Sequence, residues 1–146
     1  MKYMFEMEWP SLEGKVKAEL FMDKNPDLCK IFWDSMPFET IQLHALVSGE
    51  DLYAYCPVNE AEFHQRGKLP VVLSEAPTGS VTYSMLGLVA VYYGVITEDL
   101  KTQLIGRVLR DDLETLKSVG RAVWDSIYNT KKIIKVIFRQ SQEGGE

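Results

Sequence analysis

Short runs in which apolar and polar residues alternate recur along most of this chain, and turn-forming residues separate them. In the first run Tyr3, Phe5, Met7 and Trp9 alternate with mostly polar neighbours. A period of two places successive side chains on opposite faces, as in a β-strand that buries one face. The pattern predicts about eight short strands. Such an arrangement favours a closed barrel, because closure removes the exposed strand edges.

Two segments depart from this alternation and predict α-helices at residues 26–36 and 112–128. Pro26 suits the first position of a helix, and Asp27 complements the positive end of its dipole. In the second segment Leu116, Val119 and Val123 follow a helical spacing that keeps one face apolar. The predicted fold is therefore mostly β, a closed barrel of about eight strands with two capping α-helices. Residues 1–140 form its single domain, and residues 141–146 are expected to be a disordered tail.

Composition narrows the function classes. The chain has 146 residues and a formal net charge of -5, so a basic face for nucleic acid is not expected. No apolar run is long enough to span a membrane, and the N-terminus does not resemble a signal peptide. Cys29 and Cys56 are expected to be reduced, buried thiols, and no cysteine spacing indicates a metal site. We therefore expect a cytoplasmic protein that binds neither nucleic acid nor membrane.

Residues 39–55, ETIQLHALVSGEDLYAY, carry most of the functional information. The pattern predicts two strands joined by a tight turn at residues 48–51, where Gly49 tolerates a positive φ. The side chains here that could transfer protons or hold polar ligands include His44, Ser48, Glu50, Asp51, Tyr53 and Tyr55. No other stretch of the sequence concentrates as many such groups.

Each of these residues also has a purely structural interpretation. A histidine in an alternating strand is more often a structural hydrogen-bonding group than a catalyst. Asp51 is interpreted as a turn residue, whereas Glu50 fits a turn or a site equally well. Tyrosines fit barrel strands whatever the function. His64 and Arg66, within the long loop of residues 56–69, are possible lid residues.

Four stretches in order resemble the cyclophilin family: GKVKAELFMDKNPDLCKIF (14–32), PFETIQLHALVSG (37–49), LIGRVLRDDLETLKSVG (104–120) and KKIIKVIF (131–138). The resemblance implies a cyclophilin-like barrel. Prolyl isomerisation in cyclophilins depends on an arginine directly after the central histidine, and here Ala45 follows His44. A guanidinium that could polarise the proline nitrogen is absent at that position. We therefore predict no prolyl isomerase activity.

The motif His-Ala-x-x-Ser-Gly-Glu at residues 44–50 and the pair Tyr93-Gly94 resemble cyclophilin-like proteins that lack the isomerase residues. A characterised branch of these is the mikimopine and cucumopine synthases. That resemblance implies a Pictet–Spengler condensation of L-histidine with 2-oxoglutarate to an opine, without a cofactor or metal. It leaves open a non-catalytic module that binds a small carboxylate or a peptide. Small-molecule partners and a homo-oligomer are compatible with both.

This reaction needs an acid that helps water leave and a base that removes the ring proton. Glu50 is the first candidate catalytic residue, and His44, which titrates near neutral pH, is the second. Hydroxyl or cationic groups would hold the substrate carboxylates. The candidate substrate-binding residues are Ser48, Tyr53, Tyr83, Tyr93 and Lys101.

Overall fold

Ten β-strands form one antiparallel sheet in the computed structural model, which describes residues 2–58, 67–84 and 87–141. The strands are β1 (Tyr3–Trp9), β2 (Gly14–Leu20), β3 (Phe38–Ile41), β4 (Leu43–His44), β5 (Gly49–Tyr55), β6 (Pro70–Val72), β7 (Ser80–Ser84), β8 (Leu88–Ile96), β9 (Lys101–Val108) and β10 (Lys135–Gln140). Nine of them follow the order β3-β10-β1-β2-β9-β7-β8-β5-β4, and β6 pairs with β9. Core residues such as Phe5 and Met7 on β1 are fully buried.

The sheet closes on itself through one extended stretch of chain. β3 and β4 lie at opposite ends of the strand order, yet only Gln42 separates them in sequence. Gln42 is buried, and its Oε1 accepts a hydrogen bond from Trp9 Nε1 at 2.8 Å. Its Nε2 donates to the carbonyls of Leu43 and Tyr53, both at 3.0 Å. One glutamine therefore links three parts of the sheet at the point of closure.

The two helices pack against the barrel through their apolar faces. Helix α1 (Pro26–Ser35) buries Leu28, Cys29 and Phe32, and the Phe32 ring contacts four other aromatic rings of the core. Helix α2 (Leu113–Asp125) lies against β2, β4, β5 and β8. A π-helical turn, Ser126–Thr130, extends it, and Lys131 then adopts a left-handed φ of 62°.

The predicted mostly-β barrel with two helices is confirmed. Ten strands are described rather than about eight, because the stretch around Gln42 divides into two strands and β6 is a short strand beside β9. Helix α1 ends one residue before the predicted boundary, and the regular part of α2 ends at Asp125. Cys29 and Cys56 are free and buried, as expected.

The predicted turn at residues 48–51 is wrong. The chain bends at residues 46–48 instead, and Gly49 already begins β5. Gly49 has a φ of 108°, and a Cβ at this position would lie 2.3 Å from the Val95 carbonyl oxygen. The glycine therefore allows β5 and β8 to approach each other closely. As a consequence Glu50 and Asp51 are strand residues, and the barrel fixes their positions.

Candidate functional site

Glu50 lies where the pairing of β5 with β8 is irregular. Gly49 is opposite Ile96 and Asp51 is opposite Tyr92, so Glu50 alone faces three residues of β8. An irregularity of this kind redirects side chains and is over-represented beside active sites. The local register, which the sequence does not reveal, therefore determines where the Glu50 carboxylate points.

The backbone of β8 holds that carboxylate directly. The Val95 N–H donates a hydrogen bond of 2.8 Å to Glu50 Oε1. Gly94 leaves the space that the carboxylate occupies, since a Cβ at Gly94 would lie 1.9 Å from the same oxygen. β8 thus supplies both a hydrogen-bond donor and the room for the acidic group.

His44 and Tyr93 form a buried hydrogen-bonded pair. Tyr93 Oη lies 2.7 Å from His44 Nε2, and His44 Nδ1 lies 2.7 Å from the Ala45 carbonyl oxygen. The carbonyl can only accept, so Nδ1 carries the imidazole proton and Nε2 accepts from the Tyr93 hydroxyl. Burial lowers the pKa of His44, and the Ala45 carbonyl and the nearby Glu50 charge oppose this change. The imidazole is therefore neutral near pH 7.

Tyr93 is packed closely against helix α2. A Cβ on Gly120 would lie 2.4 Å from two carbons of the Tyr93 ring, so the glycine permits this contact. Burial raises the pKa of Tyr93 to about 12; the Glu50 charge adds to this increase and Arg121 opposes it. Tyr93 is thus a neutral phenol whose proton points to His44. Its oxygen can still accept a hydrogen bond from a ligand.

These groups line a cavity of about 450 Å³. Its lining residues are His44, Leu46, Val47, Gly49, Glu50, Tyr93, Thr97, Arg121 and Trp124. The Trp124 ring lies 4.8 Å from the His44 ring and 4.2 Å from the Tyr128 ring, measured between centroids. Leu46 and Val47 are 66% and 82% exposed. Much of the cavity lining is therefore apolar and aromatic.

Two groups of opposite charge, Arg121 and Glu50, also line the cavity. Arg121 is exposed on helix α2, and within the described ranges it forms no ion pair. Arg121 can bind a carboxylate through two parallel hydrogen bonds. Glu50 can pair with an ammonium group. The cavity therefore complements a zwitterionic amino acid with an apolar or aromatic side chain.

The structure brings together three of the seven site residues predicted from the sequence. His44, Glu50 and Tyr93 line the cavity, although 49 positions separate His44 from Tyr93. Ser48 is a close neighbour: its carbonyl accepts the Thr97 N–H at 2.9 Å, while its residue as a whole is buried.

The other three predicted residues do not line the cavity. Tyr83 is fully buried in the core, and its hydroxyl donates to Cys56 Sγ at 3.4 Å. Lys101 is exposed at the start of β9, opposite Val72. Tyr53 is half-buried on β5, where burial raises its pKa. His64 and Arg66 lie outside the described residues.

Sequence reasoning missed Arg121, Trp124 and Thr97. A signal was present in helix α2, where Lys117, Arg121 and Trp124 follow the spacing i, i+4, i+7 and form a stripe beside the apolar face. An exposed tryptophan in line with two cations is unusual for a solvent-facing stripe. Thr97 had no such signal, because its role depends on contacts with the distant residues 47 and 48.

Asp51, interpreted from the sequence as a turn residue, is a buried carboxyl group on β5. It is 7% exposed, and its Oδ1 has no hydrogen-bond partner among the described residues. Burial raises the pKa of Asp51 to about 7, and the negative charge of Glu98 adds to the increase. Asp51 does not line the cavity.

Within the part of the chain that the structure describes, no group of three or more His, Cys, Asp or Glu side chains could hold a metal ion. Among the helices it describes, none has the length and apolar character needed to cross a membrane.

No protein-family model and no curated protein matches this chain. Several solved structures match this chain. A structure of McbB in complex with tryptophan has a TM-score of 0.90 and 33% sequence identity, and the match covers 95% of this chain and 45% of that one. This chain thus spans less than half the length of McbB.

Two more distant structures share the fold. A hypothetical protein from Archaeoglobus fulgidus has a TM-score of 0.63 and 15% identity, over 96% of this chain and 95% of its own. A cyclophilin-type peptidyl-prolyl cis-trans isomerase from Cryptosporidium parvum has a TM-score of 0.63 and 14% identity, over 98% of this chain and 99% of its own. The barrel is therefore cyclophilin-like, as the sequence resemblance predicted.

Proposed function

We propose that this cyclophilin-like barrel condenses an aromatic L-amino acid with a carbonyl compound in a Pictet–Spengler-type reaction. The observation that carries the proposal is the Glu50 carboxylate, which β8 holds at a cavity that also contains a cation and an exposed tryptophan. The 33% identity with McbB, whose structure contains tryptophan, supports an aromatic amino acid as the ligand.

Each part of such an amino acid has a complementary group in the cavity. Arg121 pairs with the carboxylate. Trp124 and the exposed Leu46 and Val47 contact the aromatic ring. The ammonium group lies against Glu50 and the Tyr93 oxygen, which accepts because its own proton is donated to His44.

The proposed reaction begins when Glu50 takes a proton from the ammonium group, so that the free amine attacks the carbonyl carbon. A proton moves from the attacking nitrogen to the former carbonyl oxygen, which gives a carbinolamine. Glu50 then returns its proton to the carbinolamine hydroxyl, which leaves as water to give an iminium ion. The aromatic ring carbon then bonds to the iminium carbon, and Glu50 accepts the proton that this ring carbon loses. The products are a cyclic amine and one water molecule. Holding both reactants in this geometry supplies much of the rate enhancement.

Tryptophan is the first candidate amine, because most of the cavity surface is apolar and aromatic side chains form part of it. L-Histidine with 2-oxoglutarate, the pair that the resemblance to mikimopine and cucumopine synthases implies, is the second candidate pair and would yield an opine. Both pairs use the same Glu50 chemistry.

The test is to incubate the protein with L-tryptophan or L-histidine and a panel of aldehydes and 2-oxo acids that includes 2-oxoglutarate. Mass spectrometry should detect a product equal to the sum of the two reactants minus water. Glu50→Gln keeps the shape but removes the proton acceptor, so we expect its turnover to fall about 10²–10⁴-fold. Glu39→Gln is the matched control, because Glu39 is an exposed carboxylate paired with Lys135 at 3.3 Å. Full activity in Glu50→Gln would place the base elsewhere.

A binding module without catalysis is the second candidate function. The specific observation in its favour is the Tyr93–His44 pair, because a neutral imidazole and a phenol with a pKa of about 12 hold ligands better than they move protons near pH 7. In this case calorimetry would detect amino-acid binding that depends on Arg121, and no reactant pair would give a product.

We propose in addition that the protein is a cytoplasmic homo-oligomer. Light scattering after size-exclusion chromatography measures the mass directly, and a mass equal to that of one chain would contradict this part.

A further inference from the structure

A second cavity shares two lining residues, Glu50 and Tyr93, with the first one. It has a volume of about 540 Å³ and lies between β8, the N-terminal half of helix α2 and residues 74–78. Glu50 and Tyr93 line both cavities. The acidic group assigned to the chemistry is therefore accessible from two sides.

Gly94 explains why the carboxylate reaches the second cavity. Gly94 lines this cavity, and a Cβ on it would lie 1.9 Å from Glu50 Oε1. The missing side chain therefore places this carboxylate oxygen at the cavity wall. A molecule in the second cavity would meet the Glu50 carboxylate without passing Trp124 or Arg121, which line only the first cavity.

The two cavities differ in their chemistry. Among the described residues, Arg121 is the cation that lines the first cavity and Lys117 the cation that lines the second. Lys117 and Arg121 are four residues apart on helix α2, so they lie on the same face about one turn apart. The second cavity also has hydroxyl groups from Ser74 and Thr78, and among the described residues Trp124 lines only the first cavity.

We infer that the second cavity binds the carbonyl reactant as a small carboxylate-bearing molecule, with its carboxylate on Lys117 and its carbonyl carbon towards Glu50. This inference rests on the proposed condensation. The amino acid occupies the first cavity, because the ring-binding side chains are there. Its amine must meet the carbonyl group at the shared wall, and a single cation in the second cavity selects for an anion.

Glu114 weakens the preference of the second cavity for an anion. It is exposed, it lines the second cavity, and it is three residues from Lys117 on the same helix. Its negative charge opposes an incoming carboxylate, so Glu114→Gln should strengthen anion binding. A cavity intended for an amine would respond in the opposite direction.

The experiment uses glutarate, which carries two carboxylates but no aldehyde or ketone group and therefore cannot condense with an amine. Dimethyl glutarate is its uncharged counterpart. Binding is measured by calorimetry on the full chain. We expect Lys117→Met to weaken glutarate binding about tenfold or more and to leave L-tryptophan binding within twofold. Arg121→Met should weaken L-tryptophan binding and leave glutarate binding within twofold. Lys117→Arg, which keeps the charge, should retain glutarate binding.

Lys30→Met on helix α1 is the matched control, because Lys30 is an exposed lysine paired with Asp34 and lines neither cavity. It should change neither affinity. Thermal melting of every variant shows whether the barrel is intact.

Glutarate should also bind when the first cavity is saturated with L-tryptophan. Competition between the two, equal binding of the uncharged ester, no glutarate binding, or no effect of Lys117→Met would each overturn the inference. These measurements involve no turnover. A protein that binds both probes but forms no product would contradict the proposed condensation, while the assignment of the anion to the second cavity and Lys117 would stand.

Discussion

At the scale of single residues, the candidate site depends on what is absent as much as on what is present. Gly94 provides the room for the Glu50 carboxylate, and Gly120 provides the room for the Tyr93 ring. Neither glycine has a positive φ, so their function is to permit close approach rather than an unusual backbone conformation. The acidic group and the phenol are thus placed by neighbours that carry no functional group.

Gly94→Ala should therefore displace the Glu50 carboxylate and leave amino-acid binding through Arg121 intact. We expect the turnover number to fall about 10–100-fold with little change in KM for the amino acid, since a displacement of about 1 Å has effects of this order. Steady-state kinetics with the product assay measures it.

The control for Gly94→Ala is a double-mutant cycle with Glu50→Asp, whose shorter side chain withdraws the carboxylate from position 94. If the effect of Gly94→Ala acts through Glu50, the added methyl group should cost little in the Glu50→Asp background. Equal losses in both backgrounds would show that Gly94 acts independently of Glu50.

At the scale of secondary-structure elements, the sequence predicted what depends on local pattern. Alternation of apolar and mostly polar residues, such as that of Tyr3–Trp9, predicted the strands. The first helix, predicted to begin at Pro26, was placed to within one residue of its observed end. The turn at residues 48–51 was misplaced because a glycine that allows a close strand contact has the same local signature as a glycine in a turn. Pairing between distant residues, such as His44 with Tyr93, has no local signature at all.

Gln42, between β3 and β4, is the element-scale feature with the clearest energetic consequence. Gln42→Met keeps a similar volume but leaves the buried Trp9 indole N–H without its acceptor and removes a donor from two carbonyls. We expect the free energy of unfolding to fall by about 2–4 kcal/mol in urea denaturation, because buried unsatisfied groups cost about 1–3 kcal/mol each.

Gln140→Met is the comparison for Gln42→Met. Among the described residues, the Gln140 side chain makes one hydrogen bond, to the partly buried Trp33 carbonyl at 2.9 Å, so its loss should cost about 1 kcal/mol or less. Similar losses for the two variants would show that Gln42 has no special role at the barrel closure.

At the scale of the whole molecule, the fold is shared with a peptidyl-prolyl isomerase at 14% identity, a likeness that concerns the fold alone. Function depends on the site, and the sequence resemblance aligns Ala45 with the position where cyclophilins have arginine. We therefore predict no prolyl isomerase activity in a protease-coupled assay with a proline peptide. Turnover well above background that a mutation in the cavity abolishes would contradict this prediction.

The pH dependence of stability is the second property of the whole molecule, and Asp51 is the group that determines its direction. Burial raises the pKa of Asp51 in the folded protein to about 7, from an ordinary value of 3.8. Between these two values the folded state binds more protons at Asp51 than the unfolded state does. Its contribution to the free energy of unfolding therefore falls as the pH rises from about 4 to about 7 and is constant above that.

The expected decrease from Asp51 is on the order of 3 kcal/mol over this range, since one pKa unit corresponds to about 1.4 kcal/mol. Most acidic groups that are paired in the folded state act in the opposite direction, so this slope distinguishes Asp51 from them.

Asp51→Asn cannot ionise, and urea denaturation at pH 5 and pH 8 should show that the variant loses less stability than the wild type over this interval. The comparison uses the change in the free energy of unfolding with pH rather than its absolute value. The cost of burying the asparagine amide is the same at both pH values and therefore cancels. Glu39→Gln, at an exposed ion pair, should keep the wild-type slope. An unchanged slope in Asp51→Asn would mean that the buried carboxyl is ionised without penalty. Two observations argue against this: Oδ1 has no hydrogen-bond partner among the described residues, and the charge of Glu98 is nearby.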